Sequence, residues 1–269
     1  MLIDFHTHIF PDKVASGAIK SLKQGMKNAG NPVYNEHSDG TVCGLKKLMK
    51  ESGVDKSVIL PIATKESQTD SINAFAKMVK CDEIEPFATV YPLGAHVLDT
   101  MERIAEEGFK GIKIHHEFQM LDVDSKQSIR VLKKAEQLGL IVVIHAGSDI
   151  GFSGPVRCTP EKIHNILGEV SGSNIIAAHL GGFDMWEDVM KYLAGTPIYM
   201  DTAFLSLFID RKIYRQIIKE HGSDKIVFGS DNPWENPKDT LCALKELKLP
   251  CEDFENITFR NAQRMLGLD

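Results

Sequence analysis

Paired cysteines are absent from this chain of 269 residues. It has five cysteines, an odd number, scattered along the sequence without a Cys-x-x-Cys pair. A disulfide framework needs an even, regularly spaced set, and a thiolate zinc site needs closely spaced pairs. The pattern argues against both, and we interpret the cysteines as buried or incidental thiols.

Long apolar runs and blocks of like charge are also lacking. No segment approaches the roughly 20 apolar residues that span a bilayer, and the amino terminus shows no basic region followed by an apolar stretch and a cleavage site. The 31 basic and 37 acidic residues, a net charge of −6, are mixed along the chain. We therefore expect a cytoplasmic protein that acts on a small molecule, with neither nucleic acid nor a membrane as its partner.

Apolar runs alternate with helical patterns throughout the chain. The runs, read as strands, cover residues 2–10, 56–61, 86–91, 111–115, 140–145, 174–179, 197–201 and 225–231. Eight such strands, each followed by a helix, predict the α/β class and a (β/α)8 TIM barrel rather than an open sheet. No linker or shift in composition divides the chain, so we predict a single domain over residues 1–269. The long connection at about 12–40, with only a weak helical pattern, is a candidate lid.

The first strand brings two histidines to one edge. His6 and His8 are two residues apart, so in an extended strand both project to the same side. A His-x-His pair alone is unspecific, but polar side chains also end later strands: Lys113, His145, His179, Asp201 and Asp231. In a closed barrel these ends open onto one cavity, where catalytic groups of such barrels lie.

Four of these strand-end residues form a candidate metal site. His6, His8, His145 and Asp231 can reach one ion from strands one, five and eight. Three imidazoles and a carboxylate suit a divalent transition metal. The donor set favours zinc, with manganese, iron and cobalt as alternatives.

Five short motifs and the carboxyl-terminal segment carry a family resemblance. They are Asp4-Phe5-His6-Thr7-His8, Gly111-Ile112-Lys113-Ile114-His115, Ile144-His145-Ala146-Gly147, Ala178-His179-Leu180-Gly181-Gly182, Gly229-Ser230-Asp231-Asn232-Pro233-Trp234 and residues 257–267. In this order and spacing the chain resembles the amidohydrolase superfamily. It is most similar to the amidohydrolase-related branch, amidohydrolase family 2, which includes metal-dependent TIM-barrel hydrolases and aminocarboxymuconate-semialdehyde decarboxylases. The similarity covers nearly the whole chain.

The resemblance implies roles for the strand-end residues. His6, His8, His145 and Asp231 would bind the metal, and Asp231 would also accept a proton from the metal-activated water. His179 would be a further ligand or a catalytic acid/base group. Lys113 corresponds in position to a lysine that is carbamylated and bridges two metals in binuclear relatives. We favour one metal, with Lys113 as a cation that balances charge or binds a substrate carboxylate.

Three further residues are candidates for substrate contacts. His115 shares a face with Lys113 and lies nearer the barrel mouth. Arg157, after strand five, is either an anion-binding group or a solvated surface charge. Trp234 is either a stacking surface for a planar substrate or a packing residue of the barrel rim.

The resemblance leaves the reaction open between two enzymatic classes. The first is hydrolysis of an amide, lactone or ester bond in a small carboxylated molecule, which the short chain favours. The second is non-oxidative decarboxylation of an unsaturated or aromatic acid, which uses the same ligands. A barrel that binds a ligand without catalysis is a third alternative, and a phosphoesterase is disfavoured because Ser230-Asp231-Asn232 lacks the Asp-x-His of that class. The candidate assembly is a homodimer.

Overall fold

The computed structural model describes residues 1–268, which alternate parallel strands with helices. The strands are β1 (Ile3–Thr7), β2 (Lys56–Ile59), β3 (Ile84–Pro86), β4 (Ala88–Thr89), β5 (Gly111–Ile114), β6 (Ile141–Ile144), β7 (Ile175–Ala177), β8 (Tyr199–Asp201) and β9 (Ile226–Val227). The α-helices are α1 (Asp12–Asn28), α2 (Val42–Ser52), α3 (Thr69–Met78), α4 (Val97–Glu106), α5 (His116–Gln119), α6 (Lys126–Gln137), α7 (Pro160–Ile166), α8 (Trp186–Tyr192), α9 (Arg211–His221), α10 (Pro237–Glu246), α11 (Cys251–Glu255) and α12 (Asn261–Leu266).

All strand pairs are parallel, in the orders β1-β2-β3 and β4-β5-β6-β7-β8-β9. β3 and β4 together occupy the position of the third predicted strand, which is interrupted at Phe87, although its backbone N still donates to Ile59 O at 3.0 Å. At the other junction Phe5 N donates to Phe228 O at 2.7 Å, and Asp231 N donates to His6 O at 2.8 Å. These contacts join the first and last strands, and the predicted TIM barrel is confirmed.

Local signals account for the helix boundaries. Pro160 begins α7 as predicted, and the hydroxyl of Thr159 accepts a hydrogen bond from Lys162 N there. Gly53 ends α2 in the left-handed conformation, with φ of 71°. Helices and strands then bury a continuous apolar core between them, and a smaller apolar cluster joins strand residues to α12.

The connection at residues 12–40 contains more regular structure than the sequence indicates. Its first part is the 17-residue helix α1, which buries Ala15, Ile19 and Met26. Residues 29–41 then run as an irregular segment: Asn31 Nδ2 donates to Ile150 O at 2.8 Å, and His37 N donates to Pro233 O at 2.7 Å. The segment therefore contacts the loops that follow β6 and β9.

The third predicted strand is interrupted and the eighth ends early, and the other observed strands are also shorter than the predicted runs. In the third, Pro86 has no backbone N–H to donate, and regular pairing breaks at the next residue. In the eighth, residues after Val227 leave the ladder, and Asp231 adopts a φ of 67°. Such a positive φ turns the chain sharply and aims the Asp231 side chain at β1. Within residues 1–268 no helix is both long and apolar enough to cross a bilayer.

Candidate metal centre

Three predicted ligands meet where β1 and the turn after β9 adjoin. His6 Nε2 and His8 Nε2 are 3.2 Å apart, and Asp231 Oδ1 lies 3.4 Å from the former and 3.1 Å from the latter. Residues of both ends of the chain supply them, because β1 and the last strand are neighbours in the barrel. The predicted projection of His6 and His8 to one side is therefore confirmed.

The opposite nitrogens of the two imidazoles face hydrogen-bond acceptors. His6 Nδ1 is 2.7 Å from Asp201 Oδ2, and His8 Nδ1 is 2.8 Å from Leu60 O. An acceptor at Nδ1 selects the tautomer with the hydrogen on Nδ1 and leaves a lone pair on Nε2. Two such lone pairs and a carboxylate oxygen then face one another, an arrangement that a cation stabilises. The donor set thus fits a divalent transition metal.

Burial and charge shift the pKa values of His6, Asp231 and Lys113. Burial, together with the nearby Lys113 ammonium, lowers the pKa of His6 to about 3. Burial by itself would raise the pKa of Asp231, but His6 and His8 hold that pKa well below its ordinary value. Lys113 is fully buried, its Nζ lies 3.3 Å from His6 Nε2, and burial lowers its pKa to about 8. At neutral pH the site therefore holds a neutral His6 imidazole and an ionised Asp231 carboxylate beside one buried cation.

His145, the fourth predicted ligand, belongs to a second group. Its ring stacks on that of His115 with centroids 4.2 Å apart and an interplanar angle of 14°. Asp149 Oδ2 lies 3.0 Å from His115 Nε2 and 3.8 Å from His145 Nε2. The structure thus brings His6, His8 and Asp231 together and places His145 with His115 and Asp149.

His179 lies between the two groups. Its Nδ1 is 2.9 Å from Ala203 O, and its Nε2 is 3.1 Å from His145 Nδ1. Its ring centroid is 5.3 Å from that of His6. The side chain is buried, and its φ of 57° turns the backbone at the end of β7 so that the imidazole is held above the barrel. It therefore lies beside a member of each group, His6 and His145.

The side chains of Arg157 and Trp234 make their contacts with residues other than the candidate ligands. Arg157 Nη1 pairs with Asp122 Oδ1 at 3.1 Å, and its backbone N donates to Glu117 Oε1 at 3.0 Å. Trp234 is half-buried, packs against the apolar core and donates its backbone N to Asp231 O at 2.9 Å. In this structure the Trp234 side chain therefore packs against the core, and the Arg157 guanidinium is paired with Asp122.

Three functional candidates escape sequence reasoning. Asp201 ends a strand, and its sequence position alone indicates no specific role, but it accepts hydrogen bonds from His6 Nδ1 and from His179 N. Asp149 lies in a loop, four residues after His145, where no periodic pattern marks it. Glu117 follows β5 and is buried, which raises its pKa to about 7. The signal available for Asp201 was its position at a strand end.

A cavity of about 160 Å³ adjoins the second group. Its wall includes Glu117, Ser148, Asp149, Phe152 and Arg157. A larger surface groove of about 450 Å³ follows α1 and includes none of the candidate ligands. Of these two, the smaller cavity is therefore the one whose lining includes a candidate ligand, Asp149.

Fold and site together define a TIM barrel of the metal-binding type, with its His and Asp side chains at the carboxyl ends of the strands. The chain belongs to the amidohydrolase family, whose family model, described as Amidohydrolase, matches residues 3–268. This membership confirms the resemblance drawn from the motifs. No curated protein matches the chain.

Three solved structures show the same fold. An uncharacterised TIM-barrel protein from Bordetella bronchiseptica matches with a TM-score of 0.74 and 15% identity, over 99% of this chain and 98% of that one. A dihydroxybenzoic acid decarboxylase from a Polaromonas species, with bound manganese and 2-nitroresorcinol, matches at 0.69 and 15%, over 99% and 97%. A probable 2-pyrone-4,6-dicarboxylic acid hydrolase from Acinetobacter baumannii, with citric acid bound, matches at 0.65 and 17%, over 99% of each chain. The family and these named neighbours include enzymes of both the hydrolase and the decarboxylase type.

Proposed function

We propose that this protein is a metal-dependent hydrolase that cleaves an amide, lactone or ester bond in a small carboxylated molecule. The observation that carries the proposal is the convergence of His6 Nε2, His8 Nε2 and Asp231 Oδ1, with both Nδ1 atoms on acceptors. A divalent ion held there supplies Lewis-acid activation of water or of a substrate oxygen. Zinc suits these borderline donors, and the manganese in the Polaromonas neighbour keeps manganese an alternative.

The chain's own groups supply proton transfer and orientation in this proposal. Asp231 has one oxygen among the ligating atoms and, as the carboxylate of the site, accepts the proton released by water. His179 exchanges a proton at Nε2, where His145 Nδ1 is 3.1 Å away. Asp201 holds His6 through Nδ1 and the backbone of His179 through its other oxygen. Lys113 balances the buried charges of Asp201 and Asp231, in keeping with a single cation rather than a metal bridge.

The segment at residues 29–41 is proposed as a lid over this site. It contacts the loops after β6 and β9, and Tyr34 packs edge-on against Phe204 and Phe208 with centroids 5.6 Å apart. Closure of such a segment excludes water from the reacting bond. Its position next to the Asp231 turn supports that role.

Decarboxylation of an unsaturated or aromatic acid is the second candidate. The fold match to the Polaromonas decarboxylase extends over 97% of that chain, so the short length of this protein does not favour hydrolysis over decarboxylation. Both named neighbour activities concern carboxylated molecules, which supports a carboxylated substrate for either reaction. Screening lactones, esters, amides and unsaturated acids with the metal-loaded protein, measuring released acid and carbon dioxide separately, chooses between the reactions. Carbon dioxide without hydrolytic product would replace the hydrolase proposal by the decarboxylase, and neither product on any compound would favour the ligand-binding barrel.

The metal centre itself has a direct test. His6→Ala/His8→Ala removes two of three ligands, so we expect the double variant to lose the ion of this centre, measured by elemental analysis after dialysis. His96→Ala/His164→Ala, which removes two exposed imidazoles, is the matched control and should leave the metal content unchanged. Equal metal in the His6→Ala/His8→Ala variant and the wild type would refute the centre.

A further inference from the structure

We propose that Asn232 couples residues 29–41, here named the lid segment, to the proposed metal centre. Asn232 directly follows Asp231, is fully buried, and makes hydrogen bonds with both His8 and Ser38. The lid segment, in the closed position that the structure shows, therefore helps to hold the ligands in place, and an ion on the ligands favours the closed position. This coupling rests on the metal centre of the proposed function and adds Asn232 to it as a positioning residue.

The backbone of Asn232 joins the two parts of the chain that supply the ligands. His8 N donates to Asn232 O at 2.6 Å, and Asp231 N donates to His6 O at 2.8 Å. Asn232 N donates to Ser230 Oγ at 3.1 Å, on the other side of the Asp231 turn. Because these bonds pair the turn with the end of β1, a displacement of Asn232 displaces His8 and Asp231 relative to each other.

The side-chain amide of Asn232 extends this unit to the lid segment. Its Nδ2 donates to His8 O at 3.4 Å, and its Oδ1 accepts a hydrogen bond from Ser38 Oγ at 2.9 Å. Next to it, His37 N donates to Pro233 O at 2.7 Å. When the lid segment opens, Oδ1 loses the Ser38 hydroxyl and water takes its place. Water then also competes for Nδ2, which loosens the contact of the amide with His8.

The lid segment has the properties of an element that opens locally. Residues 29–41 contain neither helix nor strand, and of them only Gly40 is buried. Gly30 and Gly40, with φ of 79° and 73°, lie near its two ends, where glycine allows large changes of backbone angle. Irregular segments with few buried contacts open at low cost in free energy. Its contacts with Asn232 and Pro233 are therefore a sizeable part of what keeps it closed.

The coupling acts in both directions. An ion fixes His8 and Asp231, so it holds the Asn232 amide in the orientation that Ser38 and the closed lid segment require. By linkage, the factor by which closure strengthens ion binding equals the factor by which the ion favours closure. Exchange of one neutral hydrogen bond for a bond to water corresponds to a factor of roughly 2 to 10. The lid segment is thus biased to cover the site when the ion is present.

Hydrogen exchange measured by mass spectrometry tests the coupling. Chelated wild-type protein and protein saturated with Zn²⁺ are compared over residues 29–41, where the amide of His37 reports directly on the bond to Pro233. We expect the ion to slow exchange in this segment by about 2-fold to 10-fold. In His6→Ala/His8→Ala, which lacks two of the ligands, added Zn²⁺ should leave the exchange of the segment unchanged.

Ser38→Ala tests the contact in the reverse direction, from the lid segment to the ion. Competition with a chelating dye should show a Zn²⁺ affinity lower by about 2-fold to 10-fold, and the slowing of exchange by the ion should shrink equally. Ser38→Thr keeps the hydroxyl and should retain both effects. Ser171→Ala is the matched control, because it removes a serine hydrogen bond of the same length, 2.9 Å to Ser173 Oγ, at an exposed site that precedes β7.

Three results would overturn the coupling. The first is bound Zn²⁺ with no change of exchange in residues 29–41, and the second is a Ser38→Ala protein with the affinity and the exchange of the wild type. The third is an equal loss of affinity in Ser38→Ala and Ser171→Ala. Failure of the wild type to bind Zn²⁺ at all would instead remove the metal centre of the proposed function, and the coupling with it.

Discussion

At the scale of residues, the chemistry of this barrel depends on which nitrogen of each histidine carries hydrogen. Nδ1 of His6, His8 and His179 lies in each case within hydrogen-bonding distance of a carboxylate or carbonyl oxygen, which accepts its hydrogen. The free Nε2 atoms then point at one another, at Asp231 or at His145. Sequence motifs identify candidate ligand types, but it is these acceptors that leave the Nε2 atoms free to bind a metal, since protonated nitrogen cannot bind one.

Asp201 is the acceptor whose loss has the clearest consequence. In Asp201→Asn, one oxygen can still accept from His179 N, while an amide NH2 replaces the oxygen that faces His6 Nδ1. His6 then favours the tautomer with its hydrogen on Nε2, so we expect the affinity for the ion proposed at His6, His8 and Asp231 to fall about 10-fold to 100-fold. Competition with a chelating dye measures this affinity. Asp99→Asn changes an exposed His–Asp pair and should have no effect, and equal affinities in the two variants would contradict the role given to Asp201.

At the scale of elements, the loops after the strands hold the ligands through close backbone contacts. The loop after β6 returns at Gly147, which has a φ of 83°, and its N donates to Cys158 O at 2.8 Å. A Cβ added there would lie 2.1 Å from Phe183 N, in the loop after β7. These two loops follow His145 and His179, so their contact sets the relative position of the two imidazoles.

Gly147→Ala is therefore expected to destabilise the fold more than an ordinary substitution of a left-handed glycine. The clash is with backbone, which cannot rotate away, so we expect a loss of about 2–5 kcal/mol in the free energy of unfolding. Gly53→Ala is the matched control, because Gly53 has a φ of 71° but open space around its Cβ position, and a loss of about 1 kcal/mol is expected. Urea denaturation followed by circular dichroism measures both. Equal losses would show that the contact between the loops does not matter.

At the scale of the whole molecule, buried carboxyls make the stability depend on pH. Glu235 accepts hydrogen bonds from Thr240 Oγ1 at 2.5 Å and from Ser206 N at 3.2 Å, and so links α10 to the loop after β8. Burial raises its pKa from 4.5 to about 7, against the opposing effect of these hydrogen bonds. A pKa raised on folding gives stability that is fully present below about pH 4.5 and is lost as the pH rises to about 7.

Glu235→Gln removes this titration while preserving the shape of the side chain. Between pH 4.5 and 8, we expect the free energy of unfolding of the wild type to fall by roughly 1–3 kcal/mol relative to the variant. Urea denaturation with chelator present, so that no ion contributes, gives the comparison. Glu246→Gln, at an exposed carboxylate paired with Arg211, controls for loss of a surface charge. A pH dependence that is the same in wild type and Glu235→Gln would contradict the prediction.

The fold was predictable because its signals are local. Each strand is a buried apolar run, each helix has its own periodicity and caps, and the alternation of the two predicts the barrel. Prediction from sequence was less accurate where contacts between distant parts of the chain determine the local structure. α1 is a full helix that buries Ala15, Ile19 and Met26, although its sequence pattern is weak. The third strand breaks after Pro86, and the eighth leaves the ladder early.

The sequence by itself determined the barrel, the family and the chemical types at the strand ends, since these follow from periodicity and from motifs contiguous in the chain. Only the tertiary structure decided which of those groups meet. His145 lies with His115 and Asp149, and Asp201 orients His6 across 195 positions of sequence. The reason is geometric: the direction of a ligand depends on barrel twist and on left-handed turns such as those at His179 and Asp231. No local pattern of residues predicts the direction of a ligand side chain.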